Sequence, residues 1–377
     1  MRRVLLLTAS TGGGHNSASK AIKDALEKVN CEVLLVDALK FVSPTLDRLV
    51  SGGYEKSAKY IPKTYGSIYR ISSRKSRKKN LDMIMRQIMG RKILHLIQNK
   101  KPDAIIGTHP FPMMALMKYK ENGTINIPIV SVLTDYTAHP AYIQKNVDAY
   151  IVGSEDLTYL LKNSGVDYNK IYPFGIPISE NFLDTSKVDD VKKQLELEDK
   201  FTVLLMGGSF GAGNIKDSLL ELLSINYDLQ IIVVTGRDYS LKEKLSRMID
   251  DINPDKIVRI LGYTKYMPEL LTISSVLVTK PGGLTTTEAI IKAIPMVIPY
   301  YIPGQEAGNV DFLLNNGMAL KTSGTYTLST LIEILIKNPE RRSEIVERML
   351  KKRKLDSAAK TADLVVKLIE EKNGNKD

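Results

Sequence analysis

Residues 5–26, LLLTASTGGGHNSASKAIKDAL, read as strand, glycine turn and helix in immediate succession. An apolar run without alternation is the pattern of a strand buried on both faces, which requires parallel pairing and a helical crossover. Gly12, Gly13 and Gly14 let the backbone turn sharply after that strand, and the helix is expected to begin near Asn16 or Ser17. The pattern recurs. Apolar runs of four to seven residues occur at 3–8, 32–37, 103–108, 128–134, 148–153 and 170–174, then at 202–207, 230–235, 258–261, 275–279, 296–300 and 318–321. Helical patterns separate them, so two successive sets of six predict two doubly wound α/β units.

The seam is expected near residue 185, because 179–200 (SENFLDTSKVDDVKKQLELEDK) is polar, charge-rich and without a strand candidate. That divides the chain into 1–184, 185–345 and a helical stretch, 346–377, a candidate to pack back on the first domain. A length of 377 residues suits two domains. Apolar residues at 43% and charged residues at 25% exclude a disordered or collagen-like chain. No run approaches the ~18 apolar residues of a membrane-spanning helix. One cysteine, Cys31, permits no internal disulfide and fits a reducing cytoplasm.

The net charge of +11 is local. Residues 56–101 hold 14 Lys and Arg against one acid, Asp82, so this segment carries +13 and the remainder −2. Tyr54, Tyr60, Tyr65 and Tyr69 interleave with its cations, and Leu81, Ile84, Met85, Ile88, Ile93, Leu96 and Ile97 recur near helical spacing. Tyrosines and the exposed methionines expected at Met83 and Met89 suit a headgroup region. Arg74, Lys75, Arg77, Lys78 and Lys79 suit anionic lipid, at about 1 kcal/mol per basic residue near the surface.

Candidate chemistry lies in loops at strand ends. His15 stands beside a helix N-terminus, and its ordinary pKa suits a general base near neutral pH. THPFP (108–112) offers His109; TDYTAHP (134–140) offers Asp135 and His139. In the second half, LLMGGSFGAGNI (204–215) brings Gly207, Gly208 and Ser209, and VVTGRD (233–238) offers Arg237 to an anion. VLVTKPGGLTTTEAI (276–290) is more specific. Lys280 and Gly282–Gly283 lead into a helix starting at Leu284 or Thr285, where glycine admits phosphate oxygens and the helix end supplies N–H donors. Glu288, expected on the exposed first turn, suits a ribose diol. IPYYIPGQEAGNV (298–310) places Gln305, Glu306 and Asn309 for sugar hydroxyls. No P-loop, GxGxxG, DxD or HExxH pattern occurs, and no residues have metal-ligand spacing.

Together GGGH, TDY, the GGS loop, KPGGLTTTEA and PGQEAGN resemble the processive diacylglycerol glucosyltransferases and plant-type monogalactosyldiacylglycerol synthases, over about residues 1–345. The resemblance implies the GT-B fold, two facing Rossmann-like domains with a cleft between them. It implies an inverting transfer of glucose or galactose from a UDP-sugar to diacylglycerol on the cytoplasmic face of the membrane, with no tightly bound cofactor, no essential metal and no nucleic-acid partner. His15, or Asp135, is implied as base. Gly282, Gly283, Leu284 and Thr285 would meet the diphosphate, Glu288 the ribose, Gly262 and Tyr263 the uracil, and Gln305 and Glu306 the sugar, with Gly14 also on the donor side. The basic segment with His109 and His139 falls on the acceptor side. Two other readings compete: a UDP-sugar 2-epimerase of the same plan, and a non-catalytic nucleotide-sugar or nucleic-acid binder.

Overall fold

The structure is a computed structural model that describes residues 1–9, 13–43, 79–207 and 214–374, with the side chains of 79–86 excepted. Gly12, Tyr54, Tyr60, Tyr65, Tyr69, Arg74, Lys75, Arg77, Lys78, Gly208, Ser209, Gly211 and Gly213 lie outside the described residues, as do the side chains of Lys79 and Met83.

Among the described residues twelve strands form, where the apolar runs stand. The first six are β1 (Arg2–Thr8), β2 (Cys31–Asp37), β3 (Ala104–Gly107), β4 (Ile129–Val132), β5 (Ala149–Ile151) and β6 (Ile171–Tyr172). They pair in parallel in the order β2-β1-β3-β4-β5-β6. The next six are β7 (Phe201–Met206), β8 (Leu229–Val234), β9 (Val258–Leu261), β10 (Val276–Thr279), β11 (Met296–Ile298) and β12 (Ala319–Lys321), parallel in the order β12-β11-β10-β7-β8-β9. In each sheet the crossovers change direction at one seam: between β1 and β3 in the first, between β7 and β10 in the second. Loops at such a seam splay apart and leave the crevice in which α/β proteins bind ligands.

Alternate residues of each strand feed opposite cores. Leu5, Leu7, Ile105 and Ile129 enter one layer of the first unit; Val4, Leu6, Ala104, Ile106 and Val130 enter the other. Each fully buried leucine contributes roughly 1.5–3 kcal/mol. The second layer is covered by the helix Gly13–Lys28, through Ala21, Ile22, Ala25 and Leu26, and by the helix Ser357–Gly374, through Ala362, Val365 and Ile369. That C-terminal helix therefore belongs to the first unit.

The units divide at Ser179/Glu180 and again at Arg353/Lys354, rather than near 185 and 346. Two of the tethers just outside these points lie within the first unit. Ser357 Oγ donates to the Gly175 carbonyl at 2.6 Å, and Lys354 pairs with Glu155. The helix Gly13–Lys28 starts earlier than expected, so His15 is its third residue.

The basic segment's helix, Lys79–Lys100, packs Ile93, Leu96 and Ile97 on the core as its apolar spacing suggested, but departs from that spacing at 88 and 89. Met89 is buried and Ile88 is exposed. The reason is Gly90: a Cβ there would lie 2.7 Å from the Ala115 carbonyl oxygen and 2.9 Å from the Tyr119 ring. The helix thus approaches Pro110–Glu121 closely at Gly90 and carries its neighbour Met89 inward.

Candidate active site

Because β1, β3 and β4 are neighbours in the sheet, the loops that follow them converge, and residues far apart in sequence meet. His15 follows β1. Its Nδ1 lies 2.9 Å from the carbonyl oxygen of Thr108, which follows β3, and 2.8 Å from the hydroxyl of Thr134, which follows β4. A carbonyl oxygen only accepts, so Nδ1 carries the proton and Nε2 keeps its lone pair. The Thr108 hydroxyl is held by Ser19 Oγ at 2.8 Å. Burial pushes the His15 pKa down to about 4, and the bond to Thr108 opposes that shift only in part. The ring is therefore neutral at pH 7, with its basic nitrogen on the side away from Thr108.

The two other loop histidines are primarily structural caps. His109 Nδ1 accepts the Phe111 N–H at 3.2 Å and caps the helix Pro110–Glu121. Its ring stands edge-on to that of His15, with centroids 4.6 Å apart. Burial, and then the neighbouring His15, hold its pKa well below the ordinary value. His139 Nδ1 accepts the Ala141 N–H at 3.1 Å and caps a single 3-10 turn, Pro140–Tyr142. Asp135 is half-buried beside Thr134.

In the second unit the loops after β10 and β11 are locked together. Lys280 pairs with Glu306 Oε1, and Glu306 Oε2 accepts the Ile302 N–H at 2.8 Å. Glu306 is 2% exposed, so both its oxygens are engaged inside the protein, where a sugar contact had been expected. Asn309, also buried, donates from Nδ2 to the Pro281 carbonyl at 2.9 Å. Gln305 is half-buried at the head of the helix Ala307–Asn315.

These ties fix the backbone of Lys280–Gly283 at the start of the helix Gly283–Lys292, whose N-cap is Gly282 without any side-chain cap. Leu284 and Thr285 lie half-buried in its first turn, where N–H groups have no intrahelical partner. Gly282 has φ −65°, which any residue adopts. A Cβ built there meets nothing closer than Glu306 Oε1 and Lys280 Nζ, both at 3.8 Å. Neither the backbone nor the packing demands glycine, so the space above it is available to a ligand.

Glu288 is not on an exposed turn. It is half-buried, and desolvation raises its pKa to about 8. Arg237, after β8, stacks on the exposed ring of Tyr263, after β9, at 5.6 Å, beside Gly262. Gly207 follows β7, and Gly14 sits in the first turn of the helix after β1. Among the described residues no three His, Cys, Asp or Glu side chains form a metal-ligand group, and no helix is long and apolar enough to cross a membrane.

Thr108, Thr134 and Tyr142 were not singled out from the sequence. The signal available was positional: TH and TD each put a threonine just past a strand end, next to a residue that was singled out.

Residues 15–178 match the family model of monogalactosyldiacylglycerol synthase. The processive diacylglycerol β-glucosyltransferase of Staphylococcus haemolyticus is 33% identical over 314 residues, 82% of this chain and 78% of that protein. Among solved structures, MurG of Acinetobacter baumannii superposes with a TM-score of 0.65 at 13% identity, covering 97% of this chain and all of that one. The UDP-GlcNAc 2-epimerase of Neisseria meningitidis, bound to UDP-GlcNAc, gives 0.63 at 16% identity, with 97% and 100% coverage. The fold is GT-B. At these identities the structural likeness extends to the fold alone, since it is as good for an epimerase as for MurG; the sequence relatives choose the chemistry.

Proposed function

The chain belongs to the family of the processive diacylglycerol β-glucosyltransferases and monogalactosyldiacylglycerol synthases, and on that premise we propose that it is an inverting glycosyltransferase moving glucose or galactose from a UDP-sugar to diacylglycerol. The observation that carries the chemistry is His15, held neutral with Nδ1 bonded to the Thr108 carbonyl and Nε2 left as the base. Nε2 takes the proton of the acceptor hydroxyl as its oxygen attacks C1 from the side opposite UDP, inverting that centre in one displacement.

On the donor unit, the diphosphate lies over Gly282 and Gly283, where the N–H groups at the helix start and Lys280 meet its growing charge. Glu306 is a positioning residue that holds Lys280. Glu288 takes the ribose diol, Arg237 and Tyr263 flank the uracil, and Gln305 and Asn309 lie by the sugar. A solved protein of the same fold binds UDP-GlcNAc, which supports a UDP-sugar here.

The acceptor is lipid, so the first unit works at a membrane surface, peripherally and on the cytoplasmic side. The helix Lys79–Lys100 exposes Ile88 next to Arg91 and Lys92, and the elements packed on it expose Phe41 and Phe111. These described residues extend the basic, aromatic character of the segment before them.

The test is incubation with UDP-glucose or UDP-galactose, with and without diacylglycerol vesicles. Lipid-dependent UDP release is expected. Conversion of the nucleotide sugar without lipid would instead indicate an epimerase, and no reaction under either condition a binding protein.

A further inference from the structure

In a histidine base backed by a carboxylate, the acid on Nδ1 fixes the tautomer and meets the charge that arrives when Nε2 takes a proton. Here Nδ1 faces two neutral oxygens, the Thr108 carbonyl at 2.9 Å and the Thr134 hydroxyl at 2.8 Å. The Thr134 hydroxyl lies 3.3 Å from the Tyr142 phenol, which in turn donates to the Thr108 carbonyl at 3.4 Å. Thr108, Thr134 and Tyr142 are all buried.

Donors and acceptors can be counted round this ring in one consistent direction. The Thr108 carbonyl has no hydrogen, so Nδ1 donates. The Thr134 oxygen then accepts from the same N–H, and its own hydrogen turns to Tyr142. The Tyr142 hydrogen goes to Thr108. The reverse sense, with Thr134 donating into an unprotonated Nδ1, would leave that nitrogen's lone pair against a carbonyl oxygen at 2.9 Å.

We propose that Thr134, braced by Tyr142, is a positioning residue for the transfer reaction: the Thr108 carbonyl sets the tautomer, and the Thr134 hydroxyl is the second acceptor for His15 Nδ1–H, orienting the ring and sharing the positive charge as the imidazolium forms. The proposal rests on the reading of His15 as the base. Two neutral acceptors in a buried setting supply what a carboxylate supplies elsewhere, without a second ion to desolvate.

Thr134→Val removes the hydroxyl and keeps the branched shape; Thr134→Ser keeps the hydroxyl and loses the methyl. The measurements are kcat and KM with diacylglycerol vesicles and whichever of UDP-glucose and UDP-galactose the wild type uses. They are joined by the long-range proton–nitrogen spectrum of histidine-labelled protein at pH 7, with His15 assigned by its loss in His15→Ala. For Thr134→Val a fall in kcat of about tenfold or more is expected, with KM for the UDP-sugar within about twofold and kcat in Thr134→Ser restored to within about threefold. The His15 ring is expected as the Nδ1–H tautomer in both proteins, held by the Thr108 carbonyl, with the Nδ1 resonance displaced in Thr134→Val, where the second acceptor is gone.

Three results would overturn the proposal: kcat in Thr134→Val within about twofold of wild type, equal losses in the Val and Ser variants, or an unchanged His15 Nδ1 resonance in Thr134→Val. If Thr134→Val does not fold, an Nε2–H tautomer in the wild type overturns it and an Nδ1–H tautomer with Thr134→Ser active supports it. Turnover in His15→Ala within a few-fold of wild type removes the base reading instead, and the spectra still decide what holds the ring.

Discussion

His15 Nδ1 and the carbonyl oxygen of Thr108 lie 2.9 Å apart across 93 residues of chain. This contact sets which nitrogen of the ring is basic, and burial around it sets when the ring charges. With a pKa of about 4 against the ordinary 6.5, His15 stays neutral through the whole range from pH 8 to 5. The kcat/KM profile is expected to show no acid limb near 6.5 from this residue, falling only as the pH approaches 4. His15→Ala should lose about 10²–10⁴-fold in turnover while still binding UDP-sugar.

The same burial has a stability consequence. Between pH 6.5 and 4 the unfolded chain binds the His15 proton and the native chain does not. The stabilisation from a neutral native His15 is thus complete above 6.5 and is lost as the pH falls through that window. Denaturant unfolding at pH 7 and pH 5 should show a larger drop for wild type than for His15→Ala.

Glu288 behaves in the opposite sense. Its raised pKa, about 8, means the native chain holds a proton that the unfolded chain releases near 4.5, so stability from this group declines as the pH rises through that range. Glu288→Gln removes the titration and should flatten that decline. A ribose diol donating to the carboxylate favours its charged form. Nucleotide binding at pH 7 is therefore expected to release close to one proton, read by calorimetry in buffers of different ionisation heat. Glu288→Gln should bind more weakly and release none.

Gly282→Ala separates folding from binding. Its Cβ would sit 3.8 Å from Glu306 and Lys280 at an unstrained φ. Stability should stay within about 1 kcal/mol, whereas KM for the UDP-sugar rises by about tenfold or more because the methyl group occupies the diphosphate's place. Glu306→Ala should do the reverse in part. It strands Lys280 and the Ile302 N–H, costing about 2–3 kcal/mol of stability, and it weakens the donor by releasing the lysine.

The membrane reading predicts salt sensitivity. Sedimentation with anionic vesicles should collapse in high salt, and neutralising residues 74–79 should reduce it similarly. Ile88→Ser should weaken binding at low salt without altering the fold, because the side chain is 48% exposed. Binding indifferent to salt and to these changes would remove the surface from the proposal.

The amino-acid sequence by itself determined the twelve strands, their grouping six and six, and the location of candidate chemistry at their ends. A strand buried on both faces must be apolar throughout, so local composition reports it. It also sufficed to mark His15 and the Lys280–Gly283 turn, since a glycine loop before a helix is a local device. Only tertiary structure decided what depends on a neighbour distant in the chain. Gly90 against Ala115 turned Met89 inward and left Ile88 outside, which helical periodicity cannot distinguish when both neighbours are apolar. The pairing of Lys280 with Glu306 arose because β10 and β11 are adjacent in the sheet, which no local stretch of sequence reports. Glu288 acquired its proton from burial by packing around it. The tautomer of His15 came from strand order, which brings the ends of β1, β3 and β4 together and sets Thr108 and Thr134 against one ring nitrogen.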